Sequence, residues 1–152
     1  MGAIFDWEPR FVFVDVIGMG YGIADKLRHR TSGTDVIEVN VAEAAPTNGR
    51  FFRLRDELWW RVRERFEARA FSIPNDAELI AELTTPTFEE PNGLIKVKKK
   101  LDMRSEIATA GASPDKADAL CLTEYYAAEI LRRTGPGRRT FRRREGGSWK
   151  TA

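Results

Sequence analysis

Histidine and cysteine are almost missing from this sequence of 152 residues, which contains one of each, His29 and Cys121. Zinc sites are built mainly from these two side chains, and Ser-His and Cys-His nucleophiles need a suitable histidine, so the sequence disfavours both kinds of site. Cys121 lies in a helical pattern with no second Cys or His at metal-binding spacing, which favours a core thiol. A metal site in this chain would have to be built from carboxylates.

Long apolar runs are missing as well. No segment approaches the roughly 20 apolar residues that cross a bilayer, and the N-terminus has none of the pattern of a signal peptide. The phosphate-binding pattern GxxxxGK[ST] is absent too, which argues against a P-loop ATPase. Hydrophobic residues make up 42% of the chain and aromatic residues 11%, which is enough for the core of one domain. We therefore expect a folded cytoplasmic protein.

Charge is distributed unevenly along the chain. Residues 132–152 carry eight Arg and Lys side chains against one Glu, whereas the rest of the chain is acidic on balance. We expect a folded domain over residues 1–131 and a basic, flexible tail over 132–152. Arg138 and Arg139 in this tail are candidate contacts to a polyanion such as DNA, and plain solvated disorder is the alternative.

The stretch from Phe11 to Gly22 joins an apolar run to a carboxylate and three spaced glycines. Phe11–Val14 is typical of a strand buried on both faces, and Asp15 stands at its end. The glycines predict a tight turn into a helix over Ile23–His29. Their GxGxG spacing differs from the GxGxxG dinucleotide fingerprint, which disfavours nucleotide binding. Asp15 is either the cap of that helix or a ligand, and these residues alone leave both open.

A second strand and a long helix follow. Val36–Val41 predicts the second strand of a β-α-β unit, so we expect an α/β fold. A helix from about Arg50 to Arg69 comes next, with Asn48 as its candidate cap. Trp59 and Trp60 widen the apolar stripe of this helix. Aromatic side chains at helical spacing favour a core position, and stacking on bases is the alternative.

Shorter elements lie in the middle of the chain. Phe71–Ile73 predicts a short strand, and Asn75 with Glu78 resembles the capping box of a short helix. Asn92-Gly93 between two strand-like runs predicts a β-hairpin, whose second arm ends in a lysine cluster. Such lysines either discourage edge pairing or contact phosphate. They are Lys98, Lys99 and Lys100.

The last helix carries two acids in its first turn. Ser113 is predicted as its N-cap and Pro114 as its first residue, followed by Asp115 and Asp118 on one face. Acids are common in first turns, where the positive helix end stabilises them. Asp15 adds a third carboxylate from the end of a strand, and three converging carboxylates are stable mainly around a hard cation.

Most of the sequence between Trp7 and Tyr126 resembles the C-terminal nuclease domain of tailed-phage terminase large subunits. Four segments carry the resemblance: VDVIGMGYGIADKL, RFFRLRDELWWRVRERFE, SIPNDAELIAELTTPTFEEPNGLIKVKKKLDM and SPDKADALCLTEYY. It implies an RNase H-like fold, in which a mixed sheet is flanked by helices and carries a β-hairpin insertion. The segment DKADALCL is also similar to the DxxDAL helix of bacterial Holliday-junction resolvases, which share that fold.

The resemblance implies a two-metal endonuclease that cuts concatemeric double-stranded DNA into genome lengths. By match of motif, Asp15, Asp115 and Asp118 would be the catalytic, metal-binding carboxylates, with Mg²⁺ or Mn²⁺ as the cofactor. The lysine cluster at residues 98–100 would lie near the DNA. The terminase small subunit and the portal are the implied protein partners.

The sequence departs from the family in two respects. It has no counterpart of the family's ATPase domain, nor of the first nuclease strands, one of which supplies the first metal-binding aspartate. We therefore expect an N-terminally incomplete nuclease domain, for which a chain supplying the missing strands is a further partner. The alternative is a catalytically inactive, prophage-derived fragment that binds DNA or a protein. A resolvase-like enzyme that prefers branched DNA is a third, weaker interpretation, because the middle segment is terminase-like.

Overall fold

The computed structural model describes residues 2–47, 49–98 and 114–126. These ranges contain both helices and strands, as expected of an α/β protein. In chain order they are α1 Gly2–Trp7, β1 Phe11–Asp15, α2 Gly20–Arg30, β2 Asp35–Val39, α3 Leu54–Glu67, α4 Ala77–Thr84, β3 Phe88–Glu89, a 3₁₀ turn Pro91–Gly93, β4 Lys96–Val97 and α5 Asp115–Leu122. None of the helices in these ranges is long and apolar enough to span a membrane.

The expected β-α-β unit is present. β1 and β2 are parallel, with Phe11 opposite Asp35 at one end and Asp15 opposite Val39 at the other, and α2 connects them. The expectation that β1 is buried on both faces is wrong, because all five of its residues are half-buried. Within the described ranges β1 pairs with β2 alone, so it has fewer neighbours than a central strand.

Helix α3 lies at the centre of the core. Its buried side chains Leu54, Leu58, Trp59 and Val62 pack in one cluster with β2, α4, β4 and α5. Trp59 is 7% exposed, which confirms its predicted core position. The partners from the other elements are Val39, Leu79, Val97, Ala117 and Cys121.

The start of α3 differs from the sequence-based expectation. The helix begins at Leu54, not at Arg50, because the preceding residues are used by a bridge between Phe51 and Ile95. The buried Asp56 carboxylate accepts hydrogen bonds from Arg53 N at 2.9 Å and from Val97 N at 2.8 Å, which ties the start of α3 to β4. Arg53 is the residue at the N-cap position. Asn48, the expected cap, lies outside the described residues.

Two further local expectations are wrong and one is confirmed. Residues 71–73 form no strand, and Phe71 instead packs edge-on against Phe66, with 5.2 Å between ring centroids. Asp76, not Asn75, caps α4 by accepting from the amides of the first turn. The hairpin is present as the antiparallel pair of β3 and β4. Its turn places Asn92 and Gly93 at positive φ, 56° and 76°, which explains why Asn-Gly occurs there.

Helix α5 is held in place by α4. The buried Glu82 carboxylate accepts a hydrogen bond from Ala117 N at 2.8 Å, and Lys116 Nζ lies 2.7 Å from both Asp76 and Glu78. A carboxylate at a helix N-terminus satisfies an open amide and interacts favourably with the helix dipole. The helix begins at Asp115 with Pro114 at the N-cap position, one residue later than expected, and Ser113 lies outside the described residues.

Candidate functional site

A cavity of about 210 Å³ brings the three predicted carboxylates together. Asp15 enters it from the end of β1, and Asp115 and Asp118 enter it from the first turn of α5. Helix α3 forms much of the remaining wall. We call this space the acidic cavity, and its other lining residues are Val41, Arg55, Leu58, Trp59, Ala119, Cys121 and Leu122.

Asp15 closes a turn immediately after β1. Its Oδ1 accepts a hydrogen bond from Ile17 N at 3.0 Å. Helix α2 has Met19 at its N-cap position, with no hydrogen bond from a side chain to the cap. The interpretation of Asp15 as the cap of this helix is therefore wrong, and a ligand role stays a prediction.

Two of the three glycines position the Asp15 turn. Gly18 has φ +73°, a conformation that is strained for other residues. Gly20, the first residue of α2, lies so close to β1 that a Cβ there would be 1.9 Å from the carbonyl oxygen of Asp15. The start of α2 thus packs directly on the backbone of Asp15. Gly22, by contrast, has open space around it.

Asp118 is joined to α3 by two side chains. Trp59 Nε1 donates a hydrogen bond of 2.9 Å to its Oδ1, and Arg55 Nε lies 3.7 Å from the same oxygen. The Asp118 side chain is 21% exposed, whereas Asp115, at the start of the helix, is exposed. Trp59 is therefore both a core residue and a polar partner of a candidate site residue.

Arg55 is the residue of the cavity that sequence reasoning missed. It lies directly beneath Trp59 on α3, with its guanidinium carbon 5.3 Å from the centroid of the Trp59 ring, and its Nη1 donates to the carbonyl oxygen of Lys98 at 3.3 Å. A signal was present, because position 55 falls on the apolar stripe that includes Leu54, Leu58 and Trp59. A charge on a core-facing stripe needs a buried partner or a ligand.

The acidic cavity fits a divalent cation in the type of its donors but not in their number. Carboxylate oxygens are the ligands that Mg²⁺, Mn²⁺ and Ca²⁺ prefer. Among the residues that the structure describes, however, no group of three or more His, Cys, Asp or Glu side chains is placed to hold one metal ion. Burial, and secondarily Asp118, raise the pKa of the Cys121 thiol, so this cavity residue is neutral and is a poor ligand or nucleophile.

The predicted DNA contacts are only partly visible. Lys98 follows β4, where its backbone accepts from Arg55 and donates to Thr87 O at 2.9 Å. Its side chain is half-buried. The other members of the predicted set, Lys99, Lys100, Arg138 and Arg139, lie outside the described residues, as does the whole of 132–152.

A larger cavity of about 710 Å³ is lined by the C-terminal half of α3. It contains none of the three predicted carboxylates, and its walls are mainly apolar side chains of α3, α4 and β3. Trp59 contributes to both cavities. We call this space the apolar groove, and its lining includes Trp60, Arg63, Phe66, Ile80, Leu83 and Phe88.

Comparison with known proteins identifies the fold. No protein-family model matches the sequence, and no curated protein matches it. The structure does match the nuclease domain of the large terminase subunit of bacterial virus Sf6. The chain has the fold of a terminase nuclease domain. The expected RNase H-like α/β fold is thereby confirmed.

Three Sf6 structures show how far the match to this terminase nuclease fold extends. A variant with manganese has a TM-score of 0.64 and 17% identity over 80% of this chain and 69% of the other. A variant with calcium has a TM-score of 0.64 and 18% identity over 80% and 68%. A further structure of the domain has a TM-score of 0.60 and 17% identity over 80% and 68%. About a third of the Sf6 domain thus has no matched counterpart here.

Proposed function

We propose that this chain acts as the nuclease domain of a phage DNA-packaging terminase large subunit and cuts concatemeric double-stranded DNA. The observation that carries the proposal is the placement of Asp15, Asp115 and Asp118 around one cavity, within a terminase nuclease fold. Carboxylates at the end of a strand and at the start of a helix are held by different elements. Their relative position is therefore a property of the fold, as a site for phosphodiester hydrolysis requires.

In this proposal Asp15 and Asp115 bind a divalent cation, Mg²⁺ or Mn²⁺, and Asp118 completes the negative cluster. A bound cation would supply Lewis acidity toward a phosphoryl oxygen and would lower the pKa of a bound water. The positive N-terminal end of α5 stabilises the negative charges of the two carboxylates in its first turn, Asp115 and Asp118. Trp59 and Arg55 orient Asp118.

The test is nicking of supercoiled plasmid in Mn²⁺ or Mg²⁺ by the intact chain and by Asp15→Asn, Asp115→Asn and Asp118→Asn variants. Asp25→Asn is the matched control, because Asp25 is an exposed acid on α2 away from the cavity. We expect cleavage by the intact chain and by the control, with a loss of about 100-fold or more in the first two variants. A folded intact chain that does not nick DNA under either metal contradicts the proposal.

A second candidate function is supported by a separate observation. The absence of a three-ligand group among the described residues, together with the contacts of Asp118 to Trp59 and Arg55, favours a catalytically inactive module that binds DNA or a protein. Such a module would bind duplex DNA in EDTA with a steep salt dependence, supplied by basic residues such as Lys98 and Arg138. Salt-dependent binding without nicking would favour this function over the first.

A further inference from the structure

Arg55 lines the acidic cavity, and one edge of its guanidinium, which we call the open edge, has no hydrogen-bond partner among the described residues. Its side chain is 17% exposed, and one terminal nitrogen, Nη1, is bonded to Lys98 O. The other edge of the guanidinium carries Nε and Nη2, and both atoms are buried without a hydrogen-bond partner in the part of the chain that the structure describes. Such donors are costly, because a buried donor left without an acceptor loses the hydrogen bonds that water would supply, and the loss is greater for a charged group.

The open edge has the shape of an oxyanion site. Nε and one terminal nitrogen of an arginine lie side by side in a plane, and this fork matches two oxygens of a carboxylate or a phosphate. Asp118 does not fill it, since the Oδ1 to Nε distance of 3.7 Å exceeds that of a hydrogen bond. The same Oδ1 is already held by Trp59, and the first turn of α5 is fixed by Glu82 and Lys116.

We infer that the Nε and Nη2 edge of Arg55 binds one oxyanion of the phosphate type in the acidic cavity. The inference deepens the proposed function and rests on it for the identity of the anion, which is then a phosphodiester group of DNA. Free phosphate offers the same oxygens, and the experiment below separates the two sources.

Electrostatics add a condition to this binding. Among the described residues, the walls of the cavity carry three carboxylates and one guanidinium, that of Arg55, so an anion that enters alone is repelled. A divalent cation that neutralises the carboxylates removes this repulsion. Binding of the oxyanion and of the cation are therefore positively coupled, and each raises the affinity for the other by the same factor.

The experiment measures fluorescence anisotropy of a labelled linear DNA duplex with the full chain, in EDTA and in Ca²⁺, over a range of salt concentrations. The variants are Arg55→Gln and Arg55→Lys. Arg63→Gln is the matched control, because Arg63 also lies over a tryptophan of α3 but is exposed and paired with Glu67. Competition by inorganic phosphate, read in the same assay, tests whether free phosphate occupies the site.

In Ca²⁺ we expect Arg55→Gln to weaken duplex binding about tenfold and to reduce the slope of log affinity against log salt by about 1. Arg55→Lys should keep the slope but lose about fivefold in affinity, because an ammonium ion cannot form the fork. Arg63→Gln should stay within about twofold of the intact chain. In EDTA the difference between the intact chain and Arg55→Gln should shrink, as the coupling requires.

Wild-type affinity and salt slope in a folded Arg55→Gln variant would overturn the inference. If that variant does not fold, Arg55→Lys decides, and unchanged affinity in Ca²⁺ overturns it. If millimolar inorganic phosphate displaces the duplex from the intact chain but not from Arg55→Gln, the site binds free phosphate as well as DNA. A chain that shows the Arg55 effect on binding but never nicks plasmid would retain this inference and refute the nuclease proposal alone.

Discussion

The two cavities that α3 lines differ in size and in chemistry. The apolar groove has about 710 Å³ and the acidic cavity about 210 Å³. The largest apolar pocket is the usual first candidate for a binding site. Here the three carboxylates and the half-buried side chain of Arg55 line the smaller cavity, and Trp59 lines both. The charged groups, rather than the volume, mark the candidate site.

The two arginine–tryptophan pairs of α3 differ in exposure and in the partners of the arginine. Arg63 lies 4.4 Å from the centroid of the Trp60 ring, and its Nε is paired with Glu67 at 2.9 Å on the surface. Arg55 lies 5.3 Å from the Trp59 ring and is half-buried, and two of its nitrogens are buried without a hydrogen-bond partner among the described residues. Water can satisfy an exposed cation, whereas a buried one depends on its neighbours. The buried pair is therefore the one that is suited to bind a ligand.

The largest expected effect concerns the close packing behind Asp15. Gly20→Ala would place a methyl group against the Asp15 carbonyl, so either α2 or β1 must shift. We expect the free energy of unfolding to fall by about 3 kcal/mol. Urea denaturation followed by circular dichroism measures this.

Gly22→Ala provides the matched control for that prediction. Nothing lies near its added methyl group, and alanine has a higher helix propensity than glycine. The free energy of unfolding should therefore rise by about 0.5–1 kcal/mol. Equal effects of the two substitutions on the free energy of unfolding would contradict the predicted clash between a side chain at position 20 and the Asp15 carbonyl.

A second, smaller effect separates the two tryptophans. Trp59→Phe keeps an aromatic ring in the core but removes the hydrogen bond to the half-buried Asp118. It should therefore lower the free energy of unfolding by about 2 kcal/mol. Trp60→Phe removes a 3.0 Å hydrogen bond to the exposed Glu64, where water replaces the donor, and should cost less than about 1 kcal/mol. Thermal unfolding of both variants gives the comparison, and a larger loss for Trp60→Phe would contradict it.

The smallest expected effect is a pH dependence of stability that arises from the ion pair between Asp76 and Lys116. The hydrogen bond from Lys116, followed by the Leu79 amide, holds the pKa of Asp76 below its usual value of 3.8. Because the folded-state pKa is lowered, the stabilisation from Asp76 is present above that usual value and is lost as pH falls through the folded-state value. Asp76→Asn should therefore reduce stability at neutral pH and flatten its decline in acid.

Denaturation midpoints from neutral pH to below pH 3 test this prediction, with Asp25→Asn as the control. Asp56 acts with the opposite sign, since burial raises its pKa and its ionisation lowers stability as pH rises. If stability falls equally steeply with decreasing pH in Asp76→Asn and in the intact chain, the ion pair between Asp76 and Lys116 makes no measurable contribution to stability.

Local patterns predicted several elements from the sequence. The β-branched and aromatic run before Asp15 is a strand, and Asn92-Gly93 closes a hairpin. The predictions that were wrong concern element ends and weak segments. Asp76 caps α4 in place of its neighbour Asn75, since either side chain is a suitable acceptor. Phe71 packs its ring instead of pairing its backbone, and no local pattern distinguishes these outcomes.

The sequence by itself determined where the acids stand on their elements, because strand and helix periodicity and the turn-forming glycines are local properties. The fold then decided what each acid meets. Trp59 and Asp118 are 59 positions apart, Arg55 and Lys98 are 43 apart, and Glu82 and Ala117 are 35 apart. Contacts over such separations depend on how helices pack on one another, and the side-chain pattern of a single helix does not specify its partner. The open edge of Arg55 follows from that packing and is therefore visible only in the tertiary structure.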